Sequence, residues 1–159
     1  MGEFPESVER VAAFLLAAGA EARIEELGAD TATAAAAAEA VGVDQAAIVK
    51  SLVALCDDRP VVALIPGDRR ADEGKLASAA GASSVRFARA REVSDLTGFA
   101  PGAVAPFPLP RVERVLIEKT LLARDDLWVG AGSTRHLAVL PAAELVRLTK
   151  AVPADLVEP

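Results

Sequence analysis

Apolar residues recur along this chain with a helical period in some stretches and an extended period in others, and the changes of period divide it into short elements. Val8, Val11, Leu15 and Leu16 share one helical face, with Ser7 as a candidate N-cap and Gly19 as a stop, which predicts a helix over 6–19. A short strand is expected at Ala22–Leu27. The alanine-rich run Thr33–Ala40, closed by Gly42, reads as a second helix because alanine has the highest helix propensity. The chain is then apolar over Val49–Cys56 and again over Val61–Ile65, on either side of the turn Asp57-Asp-Arg-Pro60, which reads as a hairpin. Helices are expected at Asp72–Ala80 and Arg89–Leu96, separated by a strand at Ser84–Phe87. Strands at Val112–Glu118, Leu127–Gly130 and His136–Leu140 precede a last helix, which Pro141 opens from the first-turn position.

Helices and strands interleaved in this way predict a mixed α/β fold, with helices packed around a curved, mostly antiparallel or mixed sheet. Hairpin-length connections argue against a strictly doubly wound topology. At 159 residues and 52% hydrophobic content, the chain is long enough to bury a core as a single domain over 1–159. Five Phe, one Trp and no Tyr make that core aliphatic. A net charge of −6 argues against a broad nucleic-acid-binding face, although a small contact with a nucleic-acid end is compatible with it. Cys56 is the one cysteine and sits among apolar neighbours, so it reads as a buried structural thiol in a cytoplasmic protein. The N-terminus is acidic and lacks the features of a signal peptide, and no apolar run approaches a membrane span.

The chemistry-bearing features are few. Gly98, Pro101, Gly102 and Pro106 punctuate Thr97–Phe107, and glycine and proline there fix a backbone able to present amides to a ligand. Lys50 is a lone cation in an apolar strand. Together they suit an anionic, or developing anionic, group held by backbone donors and one positive charge. On residue types alone, a rigid turn and a lysine snorkelling to solvent account for them equally. Phosphate-loop and dinucleotide fingerprints are missing, and one His with one Cys gives no metal-ligand spacing, so neither metal nor cofactor is expected. The carboxylate pairs at 25–26, 57–58 and 125–126 read as solvated turns and strand edges.

Taken in order, Thr31-Ala-Thr33, Val49-Lys50-Ser-Leu, Pro66-Gly-Asp-Arg-Arg70, Leu96-Thr-Gly-Phe, Gly102-x-x-x-Pro106, Gly130-Ala-Gly132 and Glu144-Leu-x-x-Leu-Thr149 resemble the YbaK-like trans-editing deacylases. That family is similar to the editing insertion domain of bacterial prolyl-tRNA synthetases. The resemblance spans about residues 24–152. It implies hydrolysis of the ester that joins a wrong amino acid to the 3′ end of tRNA, without metal or covalent intermediate. It also implies a contact with the aminoacyl-tRNA 3′ end and a transient complex with a synthetase.

On that resemblance, Lys50 engages the terminal adenosine, and the loop residues Gly102, Ala103 and Val104 hold the ester carbonyl, the attacking water, or both. Thr33, Ser51, Gly98, Phe99, Pro106, Gly132, Ser133 and His136 are the expected substrate-binding residues. Each also has a structural reading: Thr33 as a helix N-cap, Ser133 as a turn residue, and His136 as a lone histidine without a partner. A catalytically inactive binding module and a hydrolase of small acyl esters are the alternative functions.

Overall fold

The computed structural model describes residues 4–159. Among them, eight strands form two sheets. One is three-stranded and antiparallel, in the order β1-β7-β6 (Arg23–Glu26, His136–Pro141, Asp126–Ser133). The other is five-stranded, in the order β4-β2-β3-β5-β8 (Val85–Phe87, Val49–Cys56, Arg59–Pro66, Arg114–Glu118, Val152–Ala154). In the larger sheet β2 is antiparallel to β3 and β4, whereas β5 is parallel to both β3 and β8, so it is mixed. A parallel bridge between Ile48 and Trp128 links the two sheets.

Strand alternation explains the layers. Val49 and Val53 of β2, with Val62 and Leu64 of β3, face a core shared with β6, β7, Phe99, Phe107 and helices α1 (Glu6–Ala17) and α5 (Ala142–Thr149). The intervening residues Ala54, Cys56, Val61, Ala63 and Ile65 face the opposite way, under Leu76 of α3 (Glu73–Ala80) and the C-terminal Leu156 and Val157. Both faces of the larger sheet are covered, which is why β2 and β3 read as largely apolar runs. A third, smaller cluster packs Ala37 and Ala38 of α2 (Ala34–Val41) against Ile48 and Leu137. Helix α4 (Ala90–Thr97) follows β4 directly.

Most expected elements are present, with local corrections. Pro5, not Ser7, caps α1, because the Ser7 hydroxyl donates instead to Gly132 O at 2.6 Å. Pro141 is the N-cap of α5 and not its first-turn residue. The strand expected from Val112 begins at Arg114, and β6 runs on to Ser133 through an irregularity after Gly130. Strand β8 was not expected from the sequence; three residues with a proline carry little periodicity, and pairing with β5 makes them a strand. The β2–β3 turn has both central residues, Asp57 and Asp58, at positive φ, as a two-residue hairpin of matching twist requires. Cys56 is buried, and burial, reinforced by Asp57, pushes its thiol above the usual range.

Glu118 ties the C-terminus to the sheet. It is 1% exposed; Oε1 accepts the Leu156 N–H at 2.8 Å and Oε2 the Thr120 N–H at 3.0 Å. Burial pushes the carboxyl up, but these backbone donors outweigh it and hold it below the usual value. A lowered folded value means that this stabilisation is present above the ordinary glutamate value of about 4.3 and is lost as pH falls through the folded one. Glu118→Ala strands the buried Leu156 N–H and removes the acceptor of the part-buried Thr120 N–H, and is expected to cost about 1–3 kcal/mol in denaturant unfolding at pH 7, with a smaller deficit in acid. A loss below about 0.5 kcal/mol, unchanged with pH, would contradict this account.

Candidate active site

Strand β4 pairs only with the last three residues of β2, at Ala54–Phe87, Leu55–Arg86 and Cys56–Val85. The half of β2 at Val49–Leu52 therefore has β3 on one side and an open edge on the other. Ile48 O accepts from Gly67 N–H across to β3, and Val53 O accepts from Ala88 N–H on the opposite side. Alternation between these anchors turns the peptide groups of Ser51 toward the open edge. A cavity of about 240 Å³ lies along it. One wall is the start of α2, another is Gly102, Val104 and Gly130, and Ile48 and Leu137 close the back.

Each wall has a local cause. The segment before α2 is fastened to the β6–β7 turn, because both the N–H and the hydroxyl of Thr31 donate to Thr134 O, at 2.7 and 2.8 Å. Thr33 then caps α2 by accepting the Ala36 N–H at 3.1 Å. Across the cavity, Ala100-Pro-Gly-Ala103 closes a turn through Ala103 N–H to Ala100 O at 2.9 Å, with Gly102 at φ 82°. Proline second and a positive-φ glycine third are the residues of a type II turn. That hydrogen bond engages the Ala103 amide. Among the described residues, the N–H groups of Gly102 and Val104 donate to no protein acceptor.

Lys50 and Ser51 straddle the edge. Lys50 lies on the α3 side, where its Nζ donates to Arg69 O at 2.6 Å. Partial burial, then the Arg70 charge, lower its pKa from the ordinary value, against an upward pull from Asp68. Ser51 points to the core side, and its buried Oγ has no partner among the described residues. A buried hydroxyl without a partner is costly, and such groups concentrate where a ligand completes the bonding.

Of the residues expected from the sequence, Thr33, Lys50, Ser51, Gly102 and Val104 line this cavity together. Ala103 is buried behind its own turn. The others lie elsewhere. Gly98 caps α4, and Phe99 is in the core under the Arg10 guanidinium, 4.7 Å from its ring centroid. Pro106 borders a separate groove with Phe14 and Pro108. Gly132 abuts the Ser7 backbone, and Ser133 Oγ lies 2.6 Å from Nδ1 of the buried His136, whose ring meets Phe4 edge-on. Inward packing thus removes Gly132, Ser133 and His136 from the cavity. Sequence reasoning used Gly130 as part of a family motif but not as a site residue, although a glycine inside a strand signals close backbone approach. A Cβ there would collide with Val104 O.

Residues 28–148 match the aminoacyl-tRNA editing domain family. This chain belongs to that family. Membership makes it an aminoacyl-tRNA editing domain. A solved structure provisionally described as a trans-editing enzyme for prolyl tRNA synthetase is 35% identical, with a TM-score of 0.92 over 99% of this chain and 100% of that one. Curated relatives include proline–tRNA ligase 1 of Anaeromyxobacter dehalogenans, 39% identical over 83 residues, and the proline–tRNA ligase of Nitratidesulfovibrio vulgaris, 35% identical over 124. These alignments take in 52% and 71% of this chain but only 14% and 21% of the ligases' own lengths. Among the described residues of this editing domain, no cluster of three or more His, Cys, Asp or Glu is arranged to hold a metal ion, and no helix is long and apolar enough to cross a membrane.

Because Gly130 lets the Val104 carbonyl approach β6, Gly130→Ala is expected to displace the glycine turn and lower single-turnover deacylation on the order of tenfold or more. Gly28→Ala, where a Cβ meets nothing within 4 Å, serves as the control. Equal activity in both variants would detach the turn from the reaction.

Proposed function

We propose that this editing domain hydrolyses the ester of a small, wrongly attached amino acid on tRNA, most naturally tRNA for proline, using water held by backbone amides. The observation that carries the reading is the cavity itself: an open strand edge faces a glycine turn with two free N–H groups, and the lone lysine stands at its lip. An aminoacyl ester is already activated. Water adds to the carbonyl carbon, the N–H groups take the developing oxyanion, and collapse breaks the bond to the ribose oxygen, which leaves with a proton as the free amino acid is released. The occupied Ala103 amide leaves Gly102, Val104 and Ser51 as the donors in this scheme. Kinship with proline–tRNA ligases supports the tRNA, and a transient association with such a ligase accompanies the proposal.

Size supports a small amino acid. The cavity is smaller than the roughly 300–1,000 Å³ clefts that enclose drug-sized ligands, and Ala34, Ala37 and Val104 line it closely. We assign Lys50 to the terminal adenosine as a cation. Its ammonium is already directed by Arg69 O, and a positive charge held in a partly desolvated position attracts phosphate or ribose oxygens more strongly than one in bulk water.

The lowered Lys50 pKa fixes the sign of its stability effect. Folding disfavours the ammonium, so this penalty is present at neutral pH and fades as pH rises through the folded value toward the ordinary one near 10.4. Lys50→Met is therefore expected to keep or raise the melting temperature while cutting single-turnover deacylation at least about a hundredfold. The assay covers a panel of aminoacyl-tRNAs alongside free aminoacyl esters. Near-normal turnover by a folded Lys50→Met would refute the assignment, and equal rates on tRNA and on free esters would favour the small-ester hydrolase reading that the net charge of −6 suggests.

A further inference from the structure

The segment that follows β3 and α3 carries a feature the cavity does not use. Phe87 is 38% exposed, one of few large apolar side chains left at the surface among the described residues. It lies opposite Ala54 in the β2–β4 pair, so its ring is on the same sheet face as Leu52 and Lys50. The Ala88 N–H to Val53 O bond carries the pairing one residue further, and the chain leaves the strand at Arg89, beside Leu52. Arg86, Arg89 and Arg91 are all exposed. Glu92 neutralises Arg86 through two bonds of 2.8 Å and accepts the Arg89 N–H at 2.9 Å, which drops its own pKa to about 2. Among the described residues no carboxylate pairs with the guanidinium of Arg89 or Arg91. In a protein of net charge −6, a bare aromatic flanked by two unpaired arginines is a local exception.

This strip joins the cavity without a break: Lys50 and Leu52 line the cavity, and Phe87 continues their face. From Lys50 to Ala54 is four residues, about 13 Å of strand at ~3.3 Å per residue. That length matches three to four stacked nucleotides at about 3.4 Å each. Aromatic faces that stack bases, edged by cations that meet phosphates, are how proteins hold single-stranded nucleic acid without reading its sequence.

We propose that Phe87, Arg89 and Arg91 form a docking strip for the unpaired 3′ end of the substrate tRNA, with a base stacked on Phe87 and adjoining phosphates on the two arginines. The proposal rests on the deacylase reading above and adds where the nucleotides preceding the terminal adenosine lie. It also reconciles an acidic protein with an RNA substrate, because the contact is confined to a few nucleotides.

Two measurements test it separately from the reaction. Binding of a short unpaired RNA ending in the tRNA 3′ sequence, followed by fluorescence anisotropy, is expected to weaken roughly five- to a hundredfold in Phe87→Ala and to recover in Phe87→Trp. The double variant Arg89→Glu/Arg91→Glu is expected to weaken binding and to flatten its salt dependence by about 0.7 per lost phosphate contact. Single-turnover hydrolysis is then compared on aminoacyl-tRNA and on the 3′-aminoacyl ester of adenosine alone, which has no preceding nucleotides. The variants should lose activity toward tRNA at subsaturating enzyme and retain it toward the adenosine ester. Unchanged RNA affinity in both sets of variants, each with an unaltered melting temperature, overturns the strip even if the wild type is an active deacylase. Weakened binding by the variants upholds it, and a wild type that binds RNA but hydrolyses neither ester counts against the deacylase reading alone.

Discussion

The short reach of β4 is the constraint on which the site depends. Three residues of pairing leave half of β2 with β3 on one side and no strand of its sheet on the other. An unpaired edge is normally a liability, because it offers backbone donors and acceptors to any passing strand. Here α2, the glycine turn and β6 fold over it and convert an exposed ladder into a lined cavity. The peptide groups that a longer β4 would consume thereby stay open toward the cavity. Strand length, a property of the backbone, decides which peptide groups face the cavity before any side chain is considered.

Enclosing that edge requires backbones to approach more closely than side chains allow. Gly130 admits Val104 O, and Gly67, whose N–H donates to Ile48 O, would place a Cβ 2.6 Å from that of Ala34. Both glycines brace the cavity without offering a reactive group. The polar groups left unsettled, the Ser51 hydroxyl and the partly desolvated Lys50 ammonium, lie on the two faces of one strand at this edge. Other buried polar groups, such as Glu118 and Thr31, are satisfied, although Arg10 Nε on α1 is also buried without a partner among the described residues.

Much of the fold was legible in the chain. The apolar runs of β2 and β3, the glycine stops of α2 and α3, and the type II turn of Ala100–Ala103 follow from local preferences that tertiary packing did not override. The motif order also identified the family and pointed to Lys50, Ser51, Thr33 and the glycine turn. What the chain alone left open was the direction in which each group faces. Ser133 and His136 sit one strand turn from Gly130, close to the cavity in sequence, yet the irregularity after Gly130 and the packing of α1 and Phe4 face them away from it. Residue types and their order determine which turns and strands form, because those depend on neighbours in the chain. Which amides stay free, and which hydroxyl is buried without a partner, depends on contacts between segments as distant as Thr31 and Thr134, and those exist only once the two sheets have closed on each other.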